Sequence, residues 1–279
     1  MIATRLRQLL IHPSARVGLA LVSVLALAAL LAPVLAPYDP AIQLDLEHGQ
    51  LQRPSLAHPL GTDFFSRDLL SRVLYGARIS LVIAAFAVAL SLTIGTAVGL
   101  LAGLAGGIVD TVLMRIVDAV LAIPRVFLLL TVVALWDRVG VTGLVLVLGL
   151  TSWFDTSRLV RAEVLSLRSR AFITATTALG FGRLRTALRH VLPNALAPIL
   201  VSATLGMGQI VLVEAGLSYL GVGVPPPVPS WGRMIADGQT WLTQAWWVAA
   251  FPGLAVVLTV LGFSLLSDGL RDTLDPRSQ

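Results

Sequence analysis

The sequence predicts an all-α membrane protein of about six transmembrane helices with both termini cytoplasmic. Three observations carry this reading. The 279 residues are 56% hydrophobic and 13% charged, against about 25% charged in an ordinary soluble domain. Mean hydropathy is +0.87. The apolar residues gather in long blocks separated by charged stretches, a distribution that suits a bilayer better than a packed globular core.

A spanning helix needs about 20 mostly apolar residues. Six stretches meet or approach that length: 15–36, 79–102, 112–135, 140–154, 195–218 and 247–267, the fourth being short. The first follows Arg5, Arg7 and Arg16 as a signal peptide would. Its apolar run from Val17 to Leu35 exceeds the ~7–15 residues of a signal core, and its small-residue exit at Ala36 is followed by Pro37, so a retained helix is expected.

Arginine placement sets the orientation, because short cytoplasmic loops are enriched in basic residues. Segment 155–194 holds Arg158, Arg161, Arg168, Arg170, Arg183, Arg185 and Arg189 against Asp155 and Glu163 and is expected in the cytoplasm. An even number of spans then puts both ends inside, in agreement with the first three arginines and with Arg271 and Arg277. The expected organisation is a cytoplasmic N-terminal segment 1–14, a first helix 15–36, an extracytoplasmic loop 37–78, a core 79–267 containing the cytoplasmic loop 155–194, and a cytoplasmic tail 268–279. Residues 136–139 and 219–246 fall on the outer face, the latter including the stiff extended run Pro-Pro-Pro-Val-Pro-Ser at 225–230.

Composition excludes several chemistries. All twenty basic residues are arginine, so the chain lacks the lysine with which a P-loop reaches nucleotide phosphates, and any ATP energy must come from a partner. The arginines flank apolar blocks, where they set membrane orientation, so no nucleic-acid partner is expected. With no cysteine there are no disulfides or thiolate metal sites. His12, His48, His58 and His190 are never at ligand spacing, and neither a Gly-x-Ser-x-Gly elbow nor a His-Glu-x-x-His helix is present, so neither metal ligands nor catalytic residues are expected.

Two sets of residues stand out within the apolar blocks. Gly95, Gly99, Gly103 and Gly107, four apart on the second helix, are expected on one face as a packing seam, either within the subunit or between subunits. Charged groups are expensive in a bilayer unless they face a cavity or a partner. Asp118 and Arg115, three apart on the third helix, could pair on one face. Arg125 follows Pro124 deeper in that helix, and Glu214 lies toward the outer end of the fifth. Asp118, Arg125 and Glu214 either line or gate a pathway or form structural pairs between helices.

Forty residues are more than a turn back into the membrane needs, so segment 155–194 is expected to dock a partner. A helix, a turn at Gly180 and a second short helix stopped by Pro193 are expected there. The stretch Phe172-Ile-Thr-Ala-Thr-Thr-Ala-Leu-Gly180 followed by Arg189-His-Val-Leu-Pro-Asn194 resembles the cytoplasmic loop of ABC importer permeases, whose pattern is Glu-Ala-Ala, three residues, Gly, nine residues, Ile, one residue, Leu-Pro. Ala175, Gly180, Leu192 and Pro193 match it, while Thr174, Thr176 and His190 stand at the Glu, second Ala and Ile positions.

Three further stretches resemble the dipeptide, oligopeptide and nickel branch of that family, in its second permease type. They are His58-Pro-Leu-Gly-Thr-Asp63 through Ser66-Arg-Asp68 to Tyr75-Gly-Ala-Arg-Ile-Ser80, then Leu217-Ser-Tyr-Leu-Gly-Val-Gly223 with Pro229-Ser-Trp-Gly232 and Ala236-Asp-Gly238, then Ser267-Asp-Gly-Leu-Arg-Asp-Thr-Leu-Asp-Pro-Arg277. The first fifty residues resemble the family in layout only.

The resemblance implies a type I ABC importer permease fold in a bacterial inner membrane. It implies alternating access, with residues 172–194 as a coupling helix and its flank seated in a groove of an ATPase. The implied partners are a second homologous permease subunit, two ATPase subunits, an extracytoplasmic solute-binding protein and membrane lipid. No cofactor is then bound by this chain, ATP and Mg belonging to the partner ATPase. A peptide cargo is implied, with nickel or glutathione as alternatives of the same importer type. A gradient-driven secondary transporter is the alternative from another class, and it would not need such a loop.

Overall fold

Inside a bilayer every backbone polar group must be satisfied within the protein, which favours helices for long apolar segments. The computed structural model describes residues 12–136, 139–171, 173, 176 and 180–274, and among these the regular structure is helical, with one isolated β-bridge between Thr62 and Asp68. Phe172, Thr174 and Ala175 of the expected coupling loop, like Arg5, Arg7 and Arg277, lie outside the described residues.

Helix α1, Pro13–Leu30, opens with proline in its first turn, where the missing N–H costs nothing, and the short α2, Ala32–Leu35, extends it. Helix α3, Leu69–Ala105, starts ten residues before the apolar block expected from hydropathy. The Asp68 carboxylate caps it, accepting the Ser71 N–H at 2.8 Å and the Ser71 hydroxyl at 2.7 Å. Gly106, at φ +66°, ends it.

The expected third span 112–135 is broken. Helix α4, Gly107–Leu121, and helix α5, Arg125–Ala134, meet at an angle of 85° across Ala122–Pro124. Proline disfavours a helical conformation for the residue before it and cannot donate to the preceding turn, so the apolar pattern continues where the helix does not. The short fourth block gains length instead. Helix α6, Val141–Leu150, and helix α7, Trp153–Arg168, together form a 28-residue span, so the first third of the expected cytoplasmic loop is a helical continuation of the membrane segment.

Pro193 does not stop a helix. Helix α8, Arg183–Thr186, passes through a π turn at Ala187–Val191 directly into helix α9, Leu192–Tyr219, with Pro193 in its first turn. The wider π turn, closed by the Leu192 N–H on the Ala187 carbonyl, lets the chain enter proline without losing a bond it could have made. Helix α10, Trp231–Gln239, is capped by the Ser230 hydroxyl, and helix α11, Trp247–Leu274, completes the bundle. Among the described residues five spans meet the length and composition of a membrane crossing, six with the bent α4–α5 pair.

Helix α3 is central, packing against α1, α6, α7 and α9. The main core joins its Ile83, Ala84, Ala87 and Val88 to Leu144, Val147 and Leu148 of α6, Ile210 and Val211 of α9, and Ala255 and Val256 of α11. Helices α1 and α11 run antiparallel in close contact. Ala15 lies on Gly269, and a Cβ on Gly18 would lie 2.8 Å from the Gly262 carbonyl oxygen. His12 Nδ1 and Asp272 Oδ2 stand 4.0 Å apart at the end of this pair. Both described ends of the chain therefore lie at one end of the bundle, together with the arginine-rich segment, as Glu163, Arg170 and Arg271 lining one cavity also shows.

The opposite end is covered by the loop between α2 and α3 and by α10. Asp63 takes Arg67 Nε at 2.7 Å and Arg72 Nε at 3.4 Å, and Arg67 reaches Asp237 of α10, which itself holds Arg233 Nε at 3.0 Å. Three arginines thus share two carboxylates in a largely buried layer. In the same loop, Asp45 accepts the backbone N–H groups of Glu47 and His48, which hold its carboxyl below the usual carboxylate range.

Candidate functional site

The glycine ladder brings α3 onto α7. A Cβ on Gly95 would lie 2.6 Å from Thr156 Cβ, one on Gly99 2.6 Å from the Ser157 carbonyl oxygen, and one on Gly103 2.7 Å from Val164 Cβ. These distances leave no room for a side chain, so the three glycines let the backbones approach within one subunit. Gly107 departs from the ladder. It begins α4 at φ +54°, and a Cβ there would meet nothing within 4 Å. The paired Gly106 and Gly107 are what allow α3 to end and the chain to turn, which takes Gly107 off the helix that carries the other three.

Charge closes the seam at the cytoplasmic end. Arg161 of α7 holds Asp110 of α4 in a two-pronged pair, Nε to Oδ1 at 2.5 Å and Nη2 to Oδ2 at 2.6 Å. Arg168 donates to the Gly103 carbonyl at 2.7 Å. The pairing of Arg115 with Asp118 does not form, since both are exposed on α4 and the acid that faces a cation is the one in the first turn.

Beyond α7 the chain stays attached to the bundle. Ile173, Val191, Ala195 and Ile199 form one buried cluster with Val160, Val164 and Leu167 of α7. Thr176 is buried, its hydroxyl donating to the Ile173 carbonyl at 2.7 Å, and its own carbonyl accepts the Phe181 N–H at 3.0 Å. Gly180 sits at φ +75° with open space around it, so it is the backbone conformation and not crowding that requires glycine there. Past that turn the Phe181 ring stacks on His190 and lies under the Arg185 guanidinium, whose Cζ is 4.4 Å from its centre. Asn194 donates to the His190 carbonyl at 2.6 Å. Leu192 and Pro193 continue into α9, while Leu184 and Leu188 point outward, 72% and 54% exposed.

The bundle also encloses a cavity of about 1220 Å³ between α3, α5, α7 and α9. Arg125 lines it, as do Ser152, Asp155, Glu163 and Asn194. Arg125 Nη2 donates to the Ser152 hydroxyl at 2.6 Å, and its Nε is buried without a partner among the described residues. Of the three charged residues singled out from sequence, Arg125 alone belongs to this cavity. Asp118 is on the exposed face of α4. Glu214 is fully enclosed in the core near the other end, accepting the Ser218 hydroxyl at 2.7 Å and the Ser80 hydroxyl at 3.0 Å. The Ser218 hydroxyl lies 3.3 Å from that of Ser230, the cap of α10, so Glu214 ties α3 and α9 to the outer layer.

A bent-helix bundle with a cavity that carries charged side chains and opens toward an arginine-rich end has the build of a multi-pass membrane transport component. The fold agrees with a structure titled for inward-facing conformations of the MetNI methionine ABC transporter, with a TM-score of 0.60 at 18% identity over 73% of this chain and 96% of that one. That likeness establishes the type I importer permease fold.

Residues 95–279 match the family described as "Binding-protein-dependent transport system inner membrane component", and the chain belongs to it. Residues 3–54 match "N-terminal TM domain of oligopeptide transport permease C". Among similar proteins, the dipeptide transport system permease protein DppC of Escherichia coli K12 is 43% identical over 272 residues, covering 95% of this chain and 90% of that one. The dipeptide transport system permease protein DppC of Alkalihalophilus pseudofirmus is 40% identical over 276 residues, covering 97% and 88%. The di/tripeptide transport system permease protein DppC of Pseudomonas aeruginosa is 40% identical over 269 residues, covering 93% and 87%.

The chain is therefore a multi-pass inner-membrane permease subunit of an ABC importer, a transport component that works with a solute-binding protein and an ATPase. Membership sets aside the gradient-driven carrier weighed from sequence. The signal that sequence reading missed is the amphipathic face of α7, where Val160, Val164 and Leu167 recur at helical spacing beneath a charged exterior.

Proposed function

We propose that this subunit carries short peptides inward and supplies half of their pathway, the other half coming from a second, homologous permease chain. Two ATPase subunits, which carry ATP and Mg, drive the cycle, and this chain binds no cofactor of its own. The binding protein delivers cargo at the end formed by the α2–α3 loop and α10. The observation that carries the reading is that Ile173 and Val191 are buried against α7 and α9, while Leu184 and Leu188 face outward at the arginine-rich end.

A segment held by its inner face, with Leu184, Arg185, Leu188 and Arg189 exposed on its outer face, can transmit a push. Movement of this segment shifts α7, and the glycine seam passes the displacement to α3 because the two backbones have no slack between them. Peptide as cargo is supported by the three similar permeases named for dipeptides and tripeptides.

The test is uptake of labelled dialanine into proteoliposomes. Import is expected only with the second permease, the ATPases, the binding protein and ATP present together. Uptake by this chain alone under an ion gradient would overturn the reading, and ATP-driven uptake of nickel or glutathione with no peptide uptake would overturn its cargo.

A further inference from the structure

The cavity described above is lined by a cation, Arg125, and an acid, Asp155, and among the described residues the two form no ion pair with one another. We infer that it holds a transient site for a zwitterionic dipeptide, with the cargo's carboxylate on Arg125 and its α-ammonium on Asp155. This rests on the peptide reading proposed above.

The chemistry follows from which groups are used and which are free. Among the described residues Arg125 spends one N–H, on Ser152 Oγ at 2.6 Å, while its Nε is buried and unpartnered. The Ser152 hydroxyl itself donates to the Leu148 carbonyl at 2.5 Å, so the guanidinium rests on a fixed acceptor and is held in place by α6. A guanidinium presents its donors in a planar fork, and those not spent on Ser152 can take a carboxylate that enters the cavity. No carboxylate of the described residues pairs with Arg125: Asp155 acts on it through space but forms no ion pair with it.

Asp155 is exposed to the cavity and unpaired among the described residues. It lies three residues beyond Ser152 on the same rod, about 5 Å along the axis at ~1.5 Å per residue. A dipeptide spans about 7 Å at ~3.3–3.6 Å per residue, long enough to bridge a guanidinium anchored on Ser152 and an acid one turn away. Glu163, eight residues further along α7, lines the same cavity, as does Arg271. A cation and an acid in one cavity select against cargo bearing a single net charge, since each end of a zwitterion finds its opposite.

The experiment uses the assembled importer, both permeases and both ATPases, in lipid nanodiscs without nucleotide and without the binding protein. Dialanine, its C-terminal amide and its N-acetyl form are titrated by calorimetry. In the unmodified complex each blocked peptide is expected to bind about ten- to a hundredfold more weakly than dialanine. Arg125→Gln is expected to erase the difference between acid and amide while keeping the penalty for acetylation. Asp155→Asn is expected to do the reverse, and Arg125→Lys to retain part of the acid preference. Equal binding of all three peptides by the unmodified complex, or an intact acid preference in Arg125→Gln, would overturn the inference. Dialanine uptake in the reconstituted system separates the two failures: uptake with no preference at the cavity removes only this site, whereas absence of uptake removes the peptide reading beneath it.

Discussion

Arg161 grips Asp110 through both carboxylate oxygens, at 2.5 and 2.6 Å, fastening the first turn of α4 to the middle of α7. The two residues are 51 apart in sequence, and each is only partly shielded, with side-chain exposures of 32% and 16%. A pair so placed contributes about 1 kcal/mol or less to stability. Its larger effect is geometric: it stops α7 from swinging away from α4 when the cytoplasmic segment moves. Asp110→Asn is expected to leave folding nearly intact while lowering peptide transported per ATP hydrolysed severalfold. The exchange of the two charges, Asp110→Arg with Arg161→Asp, is expected to recover part of that ratio, and the measurement is uptake and hydrolysis in the same proteoliposomes.

The glycine seam predicts a contrast between two alanines. At Gly99 the new Cβ would lie 2.6 Å from a backbone oxygen of α7, so Gly99→Ala must force the helices apart, at a cost of about 1–3 kcal/mol. At Gly216 on α9 nothing lies within 4 Å, and Gly216→Ala is expected to be neutral or to stabilise by up to ~1 kcal/mol through helix propensity. Thermal inactivation of the detergent-purified complex reads both. Equal behaviour of the two variants would remove the seam's role.

Gly180 predicts a dependence on backbone conformation with no dependence on size. Its φ of +75° is open to glycine and tolerable for asparagine, but costly for a β-branched residue. Gly180→Asn is expected to keep coupled transport, while Gly180→Val keeps ATP hydrolysis and loses most uptake. Full coupled transport in Gly180→Val would show that the turn is not part of the transmission.

Glu214 predicts a packing defect located far from the cytoplasmic segment. Glu214→Ala leaves the Ser80 and Ser218 hydroxyls without their buried acceptor, an expected loss of about 1–3 kcal/mol. Glu214→Gln, which keeps an acceptor oxygen and the volume, is expected to lose less than half of that. Loss of purified complex in the alanine variant, with normal uptake per surviving molecule, would mark Glu214 as a joint and not a gate.

Much of the bundle was readable in advance because a bilayer imposes one simple demand, a run of apolar residues, and the arginines then mark the side. The features that escaped reading depend on local backbone chemistry or on distant partners. Pro124 was visible, but an apolar run on both sides of it hides a bend of 85°. Gly107 kept the four-residue spacing and yet left the ladder, because its neighbour Gly106 ends the helix first. Segment 155–168 reads as a solvated basic stretch when its arginines are counted, although its buried face is a helix face packed on glycines. The outer network of Asp63, Arg67 and Arg72 with Asp237 joins residues more than 160 positions apart, a pairing no local pattern announces.

The embrace of α1 by α11 has a consequence for how the molecule is made. Translation delivers Ala15 and Gly18 at the outset and the Gly262 and Gly269 surfaces that receive them only at the finish. The face of α1 that α11 covers therefore stays in lipid while the helices between them are made, with α3 its neighbour until then.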